Sequence, residues 1–434
     1  MISREKWGEI IKDFNSEELP ELVIRNVKIP KMIPLRRAIS IIGPRRSGKT
    51  FAMFQMIKEI LNSSSFKADT TQVLYVNFER GDLEGVEGGD LINMMDVLFE
   101  IYPKNEKKSL WLFLDEIQNV NGWEKSVRTL IDNEKVQIFI SGSSSKLLSR
   151  EIATSMRGRT ITYKILPFSF SEYLGTKEIG MGKYLSKAEK IHILKNLETY
   201  IEKGGYPEAV LYPQEGNKIL LDIVETIIFR DVVERYKIRN IKLLRILISS
   251  LIDSASREFS IHKFYKFIKS NGIKASKDSL YNYLGALNDV FFVFPLKRFS
   301  YSYREKEQSL SKIYIIDNGL LTVNGISEKG KLMENLVFVE LLRREKEIYY
   351  YKSIDGKEVD FVVVEKGKVK KLIQVSYSLD DRYTKEREIK ALVKASKELR
   401  CRDLLIITYD KGGEEAIGNK MVKYIPLWKW LLEK

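Results

Sequence analysis

The chain has 434 residues, 44% hydrophobic and 30% charged, with a formal net charge of +14. That length supports two or three domains, and no run approaches the roughly 20 apolar residues of a membrane span, so no membrane association is expected. One cysteine, Cys401, excludes an internal disulfide, and two histidines, His192 and His262, exclude a histidine-rich zinc site. With no apolar signal core in Met1-Ile2-Ser3-Arg4-Glu5-Lys6-Trp7, these features predict a cytoplasmic protein.

Residues 1–37 read as a short helix and an extended lead-in punctuated by Pro20, Pro30 and Pro34. An apolar strand over 38–42 then runs into Gly43-Pro44-Arg45-Arg46-Ser47-Gly48-Lys49-Thr50, followed by a helical pattern over 51–61. Strand, GxxxxGK[ST] and helix together make a P-loop. Its glycines let backbone N–H groups turn toward a β-phosphate, and the helix presents its positive end there. Lys49 is expected to reach the β- and γ-phosphates, and Thr50 to hold Mg²⁺. The implied ligand is a nucleoside triphosphate.

A buried strand is expected over 72–78, a Gly/Asp/Glu-rich loop over 81–89 and a helix over 90–101. The run Leu110-Trp111-Leu112-Phe113-Leu114-Asp115-Glu116 reads as a Walker B strand. Asp115 would serve the Mg²⁺ shell and Glu116 would act as general base toward an attacking water. Paired acids after a strand also suit a helix N-terminus, but downstream of a P-loop the catalytic reading is favoured. The strand over 72–78, taken as the inserted one, places the core in the additional-strand class of P-loop ATPases.

A further strand over 136–141 leads to Gly142-Ser143-Ser144-Ser145. Ser143 is a candidate polar sensor of the γ-phosphate, and serines here serve equally as turn residues or helix caps. Arg159, before a strand over 161–165, is the first candidate for an arginine completing a neighbouring subunit's site, ahead of Arg157. The alternative is a surface ion pair. A trans arginine would imply a homo-oligomer.

Taken together, GPRRSGKT, LFLDEIQNVNGWE, FISGSSS, MRGR, LPFSFSEYL, GGYPEAV and FRDVVERY resemble a group of archaeal and bacterial AAA-type ATPases. The likeness continues through KIYIIDNGLL, MENLVFVELLRR and KEVDFVV, from about residue 36 to about 380. It implies an α/β fold: a P-loop core with a parallel sheet, a helical lid, a winged helix and a degenerate restriction-endonuclease-like α/β domain. The expected boundaries are a lead-in at 1–37, core at 38–170, lid at 171–237, winged helix at 238–310 and nuclease-like domain at 311–434.

The residues of the second half fit that outline. Residues 170–237 read as helical, broken at Gly204-Gly205-Tyr206-Pro207. Helices over 241–254, 260–269 and 276–289 precede a strand from Phe291, which is what a winged helix requires. The third helix carries Lys274, Lys277, Tyr281 and Tyr283; it either enters a DNA groove or packs Tyr283, Leu284 and Leu287 into a core. After an amphipathic helix over 332–342, strands are expected over 348–352, 359–364 and 371–375. Glu334 and Asp360 stand where a nuclease needs its first acids, but Gln374-Val375-Ser376 replaces the required (Asp/Glu)-x-Lys. No metal-dependent cleavage is expected.

The positive charge suits a polyanion, but it is spread along the chain, as on a lysine-rich surface of heat-adapted proteins. The sequence thus points to an AAA-type ATPase using ATP and Mg²⁺ to drive a conformational switch on duplex DNA or a protein partner. The rival is a DNA-binding regulator that binds ATP with little turnover.

Overall fold

Five parallel strands form the first sheet: β1 (Ala38–Ile42), β2 (Val73–Asn77), β3 (Leu110–Asp115), β4 (Val136–Gly142) and β5 (Thr160–Lys164). The structure, a computed structural model, describes residues 2–133, 135–142, 156, 158–180, 182 and 184–433. The chain divides into two units, Met1–Leu166 and Pro167–Lys434.

In the first unit the strand order is β2-β3-β4-β1-β5. Every residue of β1 and β3 is buried, as expected of strands covered on both faces. Helices α1 (Arg4–Ser16), α2 (Lys49–Leu61), α3 (Gly88–Ile101) and α4 (Trp123–Asn133) belong to this unit. Phe113 and Phe139 stack face to face at 4.4 Å between ring centres, fastening β3 to β4. α3 begins at Gly88, two residues before the expected start, because Glu87 and Asp90 form a capping box.

One expectation about the sheet is corrected. The strand lying between the P-loop strand and the Walker B strand is β4, whereas β2 lies at the edge beyond β3. The sheet is still of the additional-strand type. Chain order misled because the order of strands in space is set by crossover connections, not by succession in sequence.

The second unit opens with helices Phe170–Gly175, Lys187–Lys203, Pro207–Leu211 and Gly216–Thr226, the last continuing as a π-helix over Ile227–Glu234. Helices Ile241–Asp253, Ile261–Ser270 and Lys277–Asp289 follow, with a three-stranded antiparallel sheet of β6 (Glu258–Phe259), β7 (Val293–Lys297) and β8 (Ser311–Ile315). β7 begins later than expected. Phe291 adopts a left-handed φ of 61°, and Phe291 and Phe292 direct their N–H groups to Asn288 and Leu287, closing the preceding helix instead of joining the ladder.

A six-stranded mixed sheet completes the unit, with β9 (Glu347–Lys352), β10 (Glu358–Glu365), β11 (Lys368–Ser376), β12 (Leu404–Thr408), β13 (Gly413–Ile417) and β14 (Lys420–Pro426). Its order is β13-β14-β12-β11-β10-β9; β11, β12 and β14 are parallel and the rest antiparallel. Three strands were expected, and β12 to β14 extend the sheet beyond them. Helices Lys329–Arg343 and Arg382–Glu398 pack on it.

The break at Gly204-Gly205 is built around Asp317 and Phe168, whose carbonyl oxygen would lie 2.3 Å from a Cβ on Gly205. Asp317, fully buried, accepts from the N–H groups of Gly205 (2.7 Å) and Gly319 (2.8 Å), and a Cβ on Gly204 would fall inside its carboxylate. Burial raises the Asp317 carboxyl to about 6, although the backbone N–H groups pull the other way. Because the folded value lies above the unfolded one, the stability this group contributes is full below about pH 4 and is lost as pH rises through about 6. Unfolding measured from pH 4 to 7 should therefore show wild type losing up to about 2–3 kcal/mol relative to Asp317→Asn as pH increases. A constant difference would place the carboxyl at its ordinary value.

Candidate functional site

The C-terminal ends of β1, β3 and β4 meet at one edge of the first unit, and the chain crosses from β1 to α2 there. Gly43 to Gly48 form the connecting loop. A side chain at Gly43 would lie 2.0 Å from the Ile165 carbonyl oxygen, and Gly48 has a φ of 91°, so neither position accommodates a Cβ without strain. Arg46 is also left-handed, at φ 57°, and Arg45 reaches Glu79 at 3.2 Å. Lys49 opens α2 with its side chain only 5% exposed. Its ammonium donates to the carbonyls of Pro44 (3.2 Å) and Gly43 (3.4 Å) and lies 3.9 Å from Glu116 Oε1. A buried ammonium inside a loop of backbone groups at a helix N-terminus is built for an anion.

Asp115 ends β3 and is fully buried. One oxygen, Oδ2, accepts from Thr50 Oγ1 (2.6 Å) and from Tyr75 OH (2.8 Å); the other accepts from Ser141 Oγ. Burial, and then the neighbouring Asp115, push the Tyr75 phenol far above its usual range, so it remains a donor. Ser141 also accepts from the Glu116 backbone N–H at 3.0 Å. Glu116 itself has a left-handed φ of 52°, and its carboxylate accepts from the Gln118 amide. Thr50 and Asp115 thus present hard oxygen donors side by side, which fits the chemistry of a magnesium ion.

Arg159 is elsewhere. Its carbonyl accepts from Ala38 N at 2.9 Å, so it lies at the start of β1, the opposite end of the sheet from the P-loop. Five residues of strand separate the two ends, roughly 15 Å at the usual rise, and its guanidinium is paired with Asp132. It is not positioned to reach its own P-loop. Ser143 and Arg157 lie outside the described residues.

The acids expected in the second unit do come together, with an unexpected companion. Lys312 of β8, 3% exposed, reaches Glu358 (2.7 Å), Glu334 (2.9 Å) and Asp360 (3.1 Å). Tyr314 OH donates to Glu334 at 2.7 Å, and the Val375 N–H donates to Asp360 at 2.9 Å. Gln374, an amide at the position where a nuclease carries a carboxylate, donates to Glu388 of helix Arg382–Glu398. Burial and then Asp360 raise the Glu334 carboxyl to about 7, against the pull of Lys312. Burial opposes the Lys312 charge, but Tyr314 and the surrounding carboxylates outweigh it and keep the ammonium protonated. Among the described residues, no three His, Cys, Asp or Glu side chains form a group that could hold a metal ion.

Residues 35–174 match the AAA domain family, and residues 194–329 and 329–430 match two domains of unknown function. A protein of Methanocaldococcus jannaschii, itself described as uncharacterized, is 40% identical over 98% of this chain and 94% of its own length. The chain belongs to this archaeal and bacterial AAA-type family. A second relative of the AAA-type protein, uncharacterized and from Haemophilus influenzae, is 29% identical over 78% of this chain and 82% of its own. The Aeropyrum pernix ORC1 protein, solved in complex with DNA, overlaps it loosely, with a TM-score of 0.31 at 15% identity over 78% of this chain and 93% of that one. No helix among the described residues is long and apolar enough to cross a membrane.

Three residues that bear on the AAA-type site were not legible in sequence. Tyr75 and Ser141 stand in largely apolar strands, and only the adjacency of β2, β3 and β4 brings them to Asp115. Arg25 comes from the lead-in, where no periodicity marks it. It is 4% exposed; its guanidinium donates to the carbonyls of Ser47 (2.7 Å) and Leu166 (2.6 Å), and its backbone is clamped by Gln55 of α2. It braces the P-loop against the end of the unit. Arg25→Met leaves two buried carbonyls without their charged donor, and should cost about 2–4 kcal/mol of unfolding free energy in a denaturant titration. A loss below about 0.5 kcal/mol would show that the brace is incidental.

Proposed function

We propose that this protein hydrolyses ATP with Mg²⁺ at the Gly43–Thr50 loop and uses the cycle as a conformational switch acting on a macromolecular partner. One observation carries the reading: Lys49, Thr50, Asp115 and Glu116 converge, with Thr50 bonded to Asp115 at 2.6 Å and Lys49 3.9 Å from Glu116. The match of residues 35–174 to the AAA domain family supports the same class of activity.

Roles follow from how each carboxylate is held. Asp115 has both oxygens engaged by hydroxyl groups of three different elements, so it cannot swing and suits a fixed ligand position. Glu116 is held less completely, by the Gln118 amide, and fits the task of taking a proton from an attacking water. Lys49 would exchange its carbonyl partners for phosphate oxygens. The N–H groups of the loop, with the first turn of α2, would cradle the β-phosphate. Thr50 and Asp115 would hold magnesium, which when bound would offset negative charge on the phosphates. Tyr75 and Ser141 act as positioning residues by fixing the Asp115 carboxylate. In the second unit the Lys312 ammonium stands between Glu334, Glu358 and Asp360, where a metal ion would otherwise sit, which supports a sheet that does not cleave nucleic acid.

Lys49→Ala should abolish ATP turnover and weaken nucleotide binding. Glu116→Gln should keep binding while slowing turnover about 10²- to 10⁴-fold, read by phosphate release and by equilibrium nucleotide titration. Wild-type protein that turns over no ATP, alone or with duplex DNA, would overturn the proposal.

Arg159 belongs to the proposal as a residue acting on a second copy, since it lies at the far end of its own sheet. Arg159→Ala and Lys49→Ala proteins, each inactive alone, should regain partial activity when mixed, because contacts in which the P-loop comes from the Arg159→Ala copy and the arginine from the Lys49→Ala copy are intact, while the reciprocal contacts stay dead. Absence of recovery in mixtures shown to co-assemble would remove Arg159 from the site.

A further inference from the structure

Helices Ile261–Ser270 and Lys277–Asp289 pack on one another and are joined by the short turn 271–276. Residues 260–285 contain Lys263, Lys266, Lys269, Lys274 and Lys277 but a single acid, Asp278, a local net charge of +4 (five minus one). All five lysines are exposed. Two of them, one from each helix, meet at His262: Lys277, then desolvation and Lys266, hold its imidazole below the usual value. The Lys277 ammonium also lies 5.7 Å from the centre of the Tyr265 ring. Lysines from both helices thus stand exposed around this turn, and Lys266 and Lys277 share one neighbourhood.

The second helix carries the more specific features. Its buried side is Leu280, Ala286 and Leu287, and its outer side presents Lys277, Tyr281, Asn282 and Gly285, spaced along one helical face. Tyr281 is 58% exposed and Phe267 of the first helix 55%. Gly285 has no atom within 4 Å of where a Cβ would stand. A glycine inside a helix costs about 1 kcal/mol relative to alanine, and nothing within this protein requires one here. Its absence of side chain suits close approach by something outside the chain. Ser276 caps the helix, its hydroxyl accepting from Ser279 N at 3.0 Å, so the N-terminus is ordered for phosphate contact.

We propose that this face binds duplex DNA, with helix Lys277–Asp289 in the major groove, Tyr281 and Asn282 at base edges, and the lysines on the flanking phosphates. A helix of about 10–12 Å diameter fits the major groove of B-DNA, about 12 Å wide, whereas the deep, narrow major groove of A-form RNA does not admit it. Tyrosine and asparagine supply polar and apolar contacts at the base edges, and lysines supply the non-specific electrostatic attraction. This names the partner left open in the switch reading, but does not depend on turnover.

The test uses the full chain and a fluorescent DNA duplex, titrated by anisotropy across a salt series. With three to five lysines on phosphates, affinity should fall roughly 40- to 500-fold between about 50 and 200 mM salt. Lys266→Gln with Lys277→Gln should flatten the log–log slope by about 2. Gly285→Leu, favourable to the helix itself, should weaken binding while thermal stability stays level or rises. An RNA duplex should bind at least tenfold more weakly than DNA. A salt-independent affinity, lysine variants that bind like wild type, unaltered binding by Gly285→Leu, or equal affinity for the RNA duplex would each overturn the inference. The titration is run without nucleotide, so that DNA binding is read apart from the ATP cycle. An inert P-loop with salt-dependent DNA binding therefore counts against the ATPase reading alone, and active turnover with none counts against this one alone.

Discussion

The Asp115 carboxylate is the interaction on which the first unit depends. A fully buried charge is costly unless every lone pair is answered, and here Thr50, Tyr75 and Ser141 answer from α2, β2 and β4. That single group therefore ties three strands and the P-loop helix into one register. Its hydroxyl partners leave it oriented, whereas Glu116 one residue later accepts from the Gln118 amide. Arg25 and Gly43 serve the same end from the other side, one donating to the loop's carbonyl and the other letting the loop lie against Ile165.

The second unit uses buried charge differently. Lys312 gathers three carboxylates from helix Lys329–Arg343 and β10, and so joins the three-stranded sheet to the mixed sheet. In such a cluster the desolvation penalty and the attraction nearly cancel, so its effect is to fix geometry more than to add stability. Asp317 does comparable work in the helical part, where its carboxylate holds Gly205 and the start of helix Asn318–Thr322. Around these fixed points, helix Lys277–Asp289 leaves a basic, aromatic and glycine-bearing face uncovered.

Much of the P-loop site was legible in sequence because its chemistry is local. Gly43 to Thr50 and Leu110 to Glu116 are contiguous runs, and a glycine, lysine or acid at a fixed offset from an apolar strand has few other uses. Long strands and helices were legible for a related reason, since their periodicity repeats over many residues. Phe291 was not, because an apolar run looks like a strand whether or not its N–H groups are already taken by a helix end.

What the sequence determined by itself was the local pattern of the AAA-type core: glycines, Lys49 and Thr50 after one apolar strand, and Asp115 and Glu116 after another. What only the tertiary structure decided was which distant residues share those sites. β4 separates β1 from β3, Arg159 lies away from its own P-loop, Lys312 stands among acids at least 22 residues along the chain, and Lys266 and Lys277 of two helices meet at His262. The physical reason is that backbone chemistry and periodicity act over a few residues. Strand order and side-chain convergence are set by burial and crossover geometry, which depend on the whole chain at once.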